Sequence, residues 1–198
     1  MRVFRILICL WAAVSASHQI PASECPFPKG ASAADLVSFL QAHGAKETNA
    51  CIGSAFGNLN ELLPKASLND AEVSVIIRFL EYRRSPREDE MHGYRIHSNT
   101  LGDQYPAITS LFLIGPKASG QLISTLGKPN TQRFQENAEF AWSQIYRDNP
   151  VDGVRVLAHA ALLEHDPERS KELRNATAAV AENCPQNVWH ECASELPH

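Results

Sequence analysis

Within the 198 residues, the side chains best suited to chemistry crowd into one stretch, "EDEMHGYRIH", where Glu88, Asp89, Glu90, His92 and His97 fall within ten positions. Carboxylates mixed with imidazoles are the donor set of a divalent-metal site, and Glu88, Asp89, His92 and His97 would be its ligands. Their spacing follows no fixed ligand pattern. Arg83, Arg84, Arg87 and Arg95 balance the acids locally, so a solvated, charge-neutral loop accounts for the same residues, and no cofactor is expected. His159 and His165 stand six apart and so do not share a helix face as an i, i+4 pair would. They are expected to be a packing residue and a helix-end cation. The chain contains no GxSxG elbow, no phosphate-binding loop and no HExxH pair, and the Gly115-Pro116 corner is a turn. No catalytic residue is therefore expected.

Four further residues can form covalent bonds. If the opening "MRVFRILICLWAAVSAS" is a secretory signal, with Arg2 and Arg5 ahead of an apolar run and small residues before a cut after Ala16, then Cys9 leaves with it. Cys25, Cys51, Cys184 and Cys192 remain, an even number with no CxxC spacing, which points to two structural disulfides in a secreted or periplasmic protein. Removing residues 1–16 takes away two arginines and no acid, leaving 16 basic against 22 acidic side chains. That balance argues against nucleic acid as a partner. No later run has the ~20 apolar residues of a membrane span, so no membrane contact is expected after cleavage.

The elements that must position these residues read as helices throughout. Ala33, Leu36, Val37 and Leu40 mark a first helix ending near Gly44, and Cys51, Ala55, Leu59, Leu62 and Leu63 a second that stops at Pro64. Asn69 or Asp70 caps a third, with Val73, Ile76, Ile77 and Leu80 on its buried face. Residues 83–104 break the pattern with eight charged side chains and no apolar period, and read as a long loop. Helical spacing then returns at Ile108 to Phe112, Leu122 to Leu126, Phe134 to Ile145, Val154 to Leu162 and Leu173 to Cys184, the last behind an Asp166-Pro167 start. Trp142 falls on an apolar stripe with Phe134 and Ile145, so core is its expected place.

Helix starts near residues 98–105, 131 and 167 suggest a repeat. The segment "YPAITSLFLIGPKASGQLISTLGKPNTQRFQENAEFAWSQI", Tyr105 to Ile145, resembles a HEAT or armadillo-like helical repeat of the divergent type found in bacterial secreted proteins. It reads as helix, "IG-P" corner, second helix and polar corner, although Asn130-Thr131 stands where many such repeats carry Asp-Pro. The resemblance implies an all-α fold, a short right-handed α-solenoid of stacked antiparallel helix pairs, about seven helices in all. Residues 17–184 would form one domain and residues 185–198 a disulfide-tethered tail. In such a stack the chain ends stand ~20–30 Å apart, beyond the ~7 Å a disulfide spans. Cys25 with Cys51 and Cys184 with Cys192 is then the preferred connectivity of the three.

Solenoids bind partners on a concave face built from successive second helices. The residues expected there are Arg78, Glu81 and Arg155, beside Tyr94 and Arg95 of the charged loop and Tyr105 at its edge, with Trp189 in the tail a further exposed aromatic. The expected function is a non-catalytic, exported protein-binding or scaffold module. A metal-dependent accessory protein or enzyme using loop 83–104 is the alternative.

Overall fold

The structure, a computed structural model, describes residues 25–28, 30–47, 50–84 and 101–197. The fold is all-α, with no strand among the described residues. In chain order the helices are α1 (Ala33–Gln41), α2 (Ala50–Leu62), α3 (Asp70–Ile77), α4 (Leu101–Gln104), α5 (Pro106–Ile114), α6 (Ser119–Leu126), α7 (Gln132–Ile145), α8 (Pro150–Leu163), α9 (Pro167–Glu182) and α10 (Trp189–Ser194). Short 3-10 turns extend α2 through Leu63–Lys65 and join α5 to α6 through Gly115–Ala118.

Local chemistry sets most boundaries. Ser32 and Asp35 form a capping box at the start of α1, and Asn69 and Glu72 form one at α3. The Thr131 hydroxyl caps α7, and the Asp166 carboxylate caps α9 with Pro167 in its first turn. α5 stops at Gly115, whose φ of +71° and ψ of −151° suit glycine and strain any residue with a Cβ.

Helices near one another in the chain pack together, often as alternate rather than consecutive pairs. α1 packs on α2 and α3, these pack on α5 and α6, and those on α7; α9 packs on α6, α7 and α8, while α10 lies across α8 and α9. One continuous core runs through the fold and includes Leu36, Phe56, Phe79, Leu111, Trp142 and Leu157. Buried polar side chains bond within it: the Asn137 Nδ2 donates to the Leu80 carbonyl at 2.6 Å, and the Ser170 hydroxyl to the Ala161 carbonyl at 2.8 Å, while the buried Asn137 Oδ1 has no hydrogen-bond partner among the described residues. Disulfides join Cys25 to Cys51 and Cys184 to Cys192, with Cα separations of 5.4 and 6.6 Å, which is the connectivity preferred from the sequence. The first fastens the segment preceding α1 onto α2; the second fastens α10 to the end of α9.

Several expectations need correction. Leu101–Gln104, inside the expected loop 83–104, is a helical turn, closed by the bond from the Tyr105 N–H to the Leu101 carbonyl at 2.9 Å and held to α5 by the Thr109 hydroxyl on the Gly102 carbonyl at 3.0 Å. Part of the tail 185–198 is helix α10, whose single turn buries Cys192. The starts of α5, α7 and α9 at Pro106, Gln132 and Pro167 are unequally spaced, the first interval being the shorter. His159 is exposed rather than packed, since Ala158 and Ala161 take the buried side of α8.

Candidate functional site

Two features of the fold could engage another molecule: the residues that flank the charged insertion, and a cleft at the ends of α7 and α9.

Arg84 and Leu101 are the described residues that flank the insertion. Its two ends meet: the Arg84 backbone N–H donates to the Gln104 carbonyl at 2.9 Å, and the Arg84 guanidinium donates to the Gly53 carbonyl at 3.0 Å. Gly53 is buried within α2, so the root is fixed to the core rather than to another loop. Close by in the chain, Arg78 ends α3 and is exposed, while the Glu81 carboxylate accepts a hydrogen bond from the Thr131 hydroxyl. The metal-type residues Glu88, Asp89, His92 and His97, together with Tyr94 and Arg95, lie outside the described residues. Among the described residues no group of three or more His, Cys, Asp or Glu is placed to hold a metal ion.

Two of the expected binding residues serve the fold instead. Tyr105 is 6% exposed and is the N-cap residue of α5, so its ring belongs to the core. Arg155 is exposed on α8 but already occupied, with Nη1 2.6 Å from Asp152 Oδ1 and Nη2 2.8 Å from Glu195 Oε1. These bonds, led by the one to Glu195, raise its pKa above the ordinary guanidinium value and tie α10 to α8. Arg155 belongs to α8 and Arg78 to the end of α3, elements that are not among the principal packing pairs. Trp189 is 45% exposed at the start of α10, its ring edge-on to His190.

The cleft was not legible in the sequence. It has a volume of about 200 Å3 and lies between the C-terminal ends of α7 and α9 and the first residue of α8. Ser143, Gln144, Tyr146 and Arg147 form one wall, Val180, Asn183, Cys184 and Pro185 the other, and Pro150 closes it. Tyr146 is locked in place, its ring against Trp142 and its hydroxyl 2.9 Å from the Ser119 hydroxyl. The Arg147 guanidinium stacks 4.5 Å from the centre of the Phe112 ring.

Beside the cleft stands Glu139. It shares one face of α7 with Gln135 and Ser143, at i−4 and i+4. Gln135 Nε2 donates to its carboxylate at 3.0 Å, and the Ser143 hydroxyl donates to its backbone carbonyl at 3.0 Å. Burial, and after it the neighbouring Glu136 charge, push the Glu139 pKa up despite the Gln135 bond. Among the described residues no cation pairs with it within 4.0 Å. A half-buried carboxylate without a cation is the kind of group that marks a site. No period in the sequence singles out Glu139, because the signal is its surroundings.

No protein-family model, no curated protein and no solved structure matches this chain.

Proposed function

We propose that the protein is an exported, non-catalytic binding module of HEAT-like architecture, and that its partner is another protein. The root of the insertion carries this reading. The residues that flank this long charged segment are bonded to each other and to the buried backbone of α2, an anchorage that suits a scaffold presenting a recognition segment. The stacking of each helix on its near neighbours in the chain supports the array architecture. Export is supported by the two disulfides, which suit an oxidising compartment. No helix among the described residues is long and apolar enough to cross a membrane.

The test is affinity capture from the extracytoplasmic fraction of the native cell, with the disulfides intact. The control is a variant in which residues 85–100 are replaced by a short Gly-Ser linker, its fold checked by circular dichroism. One dominant protein captured by the parent chain and lost from the control supports the proposal. Equal capture by both removes the loop from the site, and no enrichment by either overturns the reading.

A further inference from the structure

We propose that the groove between α7 and α9 is a second binding surface, which takes an extended segment of a partner polypeptide carrying one basic and one large apolar side chain two residues apart. The apolar side chain fills the cleft bounded by Tyr146, Pro150, Val180 and Pro185, and the basic side chain pairs with Glu139.

Size limits the occupant first. About 200 Å3 is below the ~300–1,000 Å3 of sites that enclose a whole small ligand. It suits a single side chain delivered by a larger molecule, as anchor pockets in protein interfaces do. Its floor is preformed, because Tyr146 is held by Trp142 and Ser119 and so needs no ordering on binding. Charge sets the second requirement. Glu139 is half-buried, and among the described residues its carboxylate meets a neutral amide, no cation, and a like charge, Glu136, one turn away. An incoming Lys or Arg would supply the missing cation. Arg147 cannot, since it lies two turns beyond, ~12 Å along the helix, with its guanidinium on the Phe112 ring. Spacing links the two requirements. Glu139 and the cleft residue Ser143 are one turn apart, ~6 Å along α7, which is close to the ~6.6 Å between alternate residues of an extended strand.

The surface lies on α7 and α9, away from the root of the insertion on α2 and α4, so its fate is separable from the function proposed above. The experiment is fluorescence anisotropy of two dye-labelled peptides, one containing Leu-Gly-Arg and one Arg-Gly-Leu, titrated with the disulfide-intact protein at low salt. Saturable binding of at least one peptide is expected. Replacing its arginine by neutral, isosteric citrulline should weaken it about tenfold or more, the worth of a charged hydrogen-bonded pair. Glu139→Gln in the protein should weaken it to the same extent, and Gln144→Trp, which fills the cleft from an unbonded wall position, should abolish it. Glu139→Gln removes a carboxylate that burial disfavours, so thermal melting of this variant should not fall, which separates a lost contact from a lost fold. The 85–100 linker variant should bind as the parent does. Absence of saturable binding for both peptides, equal affinity for the citrulline peptide, or an unaltered affinity in Glu139→Gln would each overturn the proposal.

Discussion

Two helical glycines should respond with opposite signs to the same substitution. Gly153 sits in the first turns of α8 where that helix crosses α7, and a Cβ built on it falls 2.8 Å from Tyr146 Cβ, 3.0 Å from Tyr146 Cγ and 3.3 Å from Trp142 Nε1. Ordinary carbon contacts are ~3.5–4.0 Å. Tyr146 Cβ is attached to the backbone and cannot swing aside, so α8 must retreat by ~1 Å. Overpacking of this kind costs ~1–3 kcal/mol. The retreat also breaks the bond from Trp142 Nε1 to the Gly153 carbonyl, now 3.0 Å long and buried, for a further ~1 kcal/mol or more. Against this stands a gain of at most ~1 kcal/mol in helix propensity. Gly153→Ala should therefore lose about 2 kcal/mol, or ~4–8 °C in Tm for a domain of this size. Gly120, on the exposed side of α6, has nothing within 4 Å of its Cβ position, and Gly120→Ala should gain up to ~1 kcal/mol. Urea unfolding followed by tryptophan fluorescence and by circular dichroism measures both. A Gly153→Ala midpoint equal to or above that of the parent would refute the close α7–α8 crossing.

Gly115→Ala meets no neighbour but must hold φ near +71°, and should cost ~1–3 kcal/mol of unfolding free energy from backbone strain alone; a neutral result would mean that the α5 to α6 corner is bent differently. The chain-entropy relation applied to sequence separations of 26 and 8 residues gives losses of ~3.5 kcal/mol for Cys25→Ala/Cys51→Ala and ~2.5 kcal/mol for Cys184→Ala/Cys192→Ala, and denaturant titration of the two double variants should rank them in that order. Under a mild dithiol the Cys25–Cys51 bridge should open first, because Cys25 is partly exposed whereas Cys192 is fully buried; alkylation with peptide mapping that finds Cys192 labelled first contradicts this. Glu139 has a folded-state pKa above its unfolded one, so its contribution to stability is full below the unfolded carboxylate pKa and is lost as pH rises through the folded value. Glu139→Gln should thus gain stability relative to the parent between about pH 4 and pH 7, and a stability difference that stays flat over that range would show the carboxylate to be solvated.

Helix positions and caps were readable because they depend on residues within a few positions of one another. Asn69 and Asp166 cap helices through hydrogen bonds spanning two or three residues, and Gly115 and Pro116 end one by their own backbone limits. The stripe of Ala138, Ala141 and Trp142 declared its burial by period alone. Short elements without an apolar period, α4 and α10, escaped for the same reason. Single side chains were a different matter: Tyr105 is core and His159 is exposed, because a residue at the edge of an amphipathic pattern goes whichever way the neighbouring helix allows.

By itself the sequence determined an all-helical chain, the places where its helices begin and end, and a disulfide at each end, since local hydrogen bonding and apolar periodicity act over one or two turns. Only the tertiary structure decided which surfaces were left to bind. It spent Arg155 on the Glu195 tether and brought the ends of α7 and α9 together around the cleft. It also left the Glu139 carboxylate half-buried, with no cation within 4.0 Å among the described residues. A charge acquires that state from the elements packed around it, and those come from parts of the chain that no local reading connects.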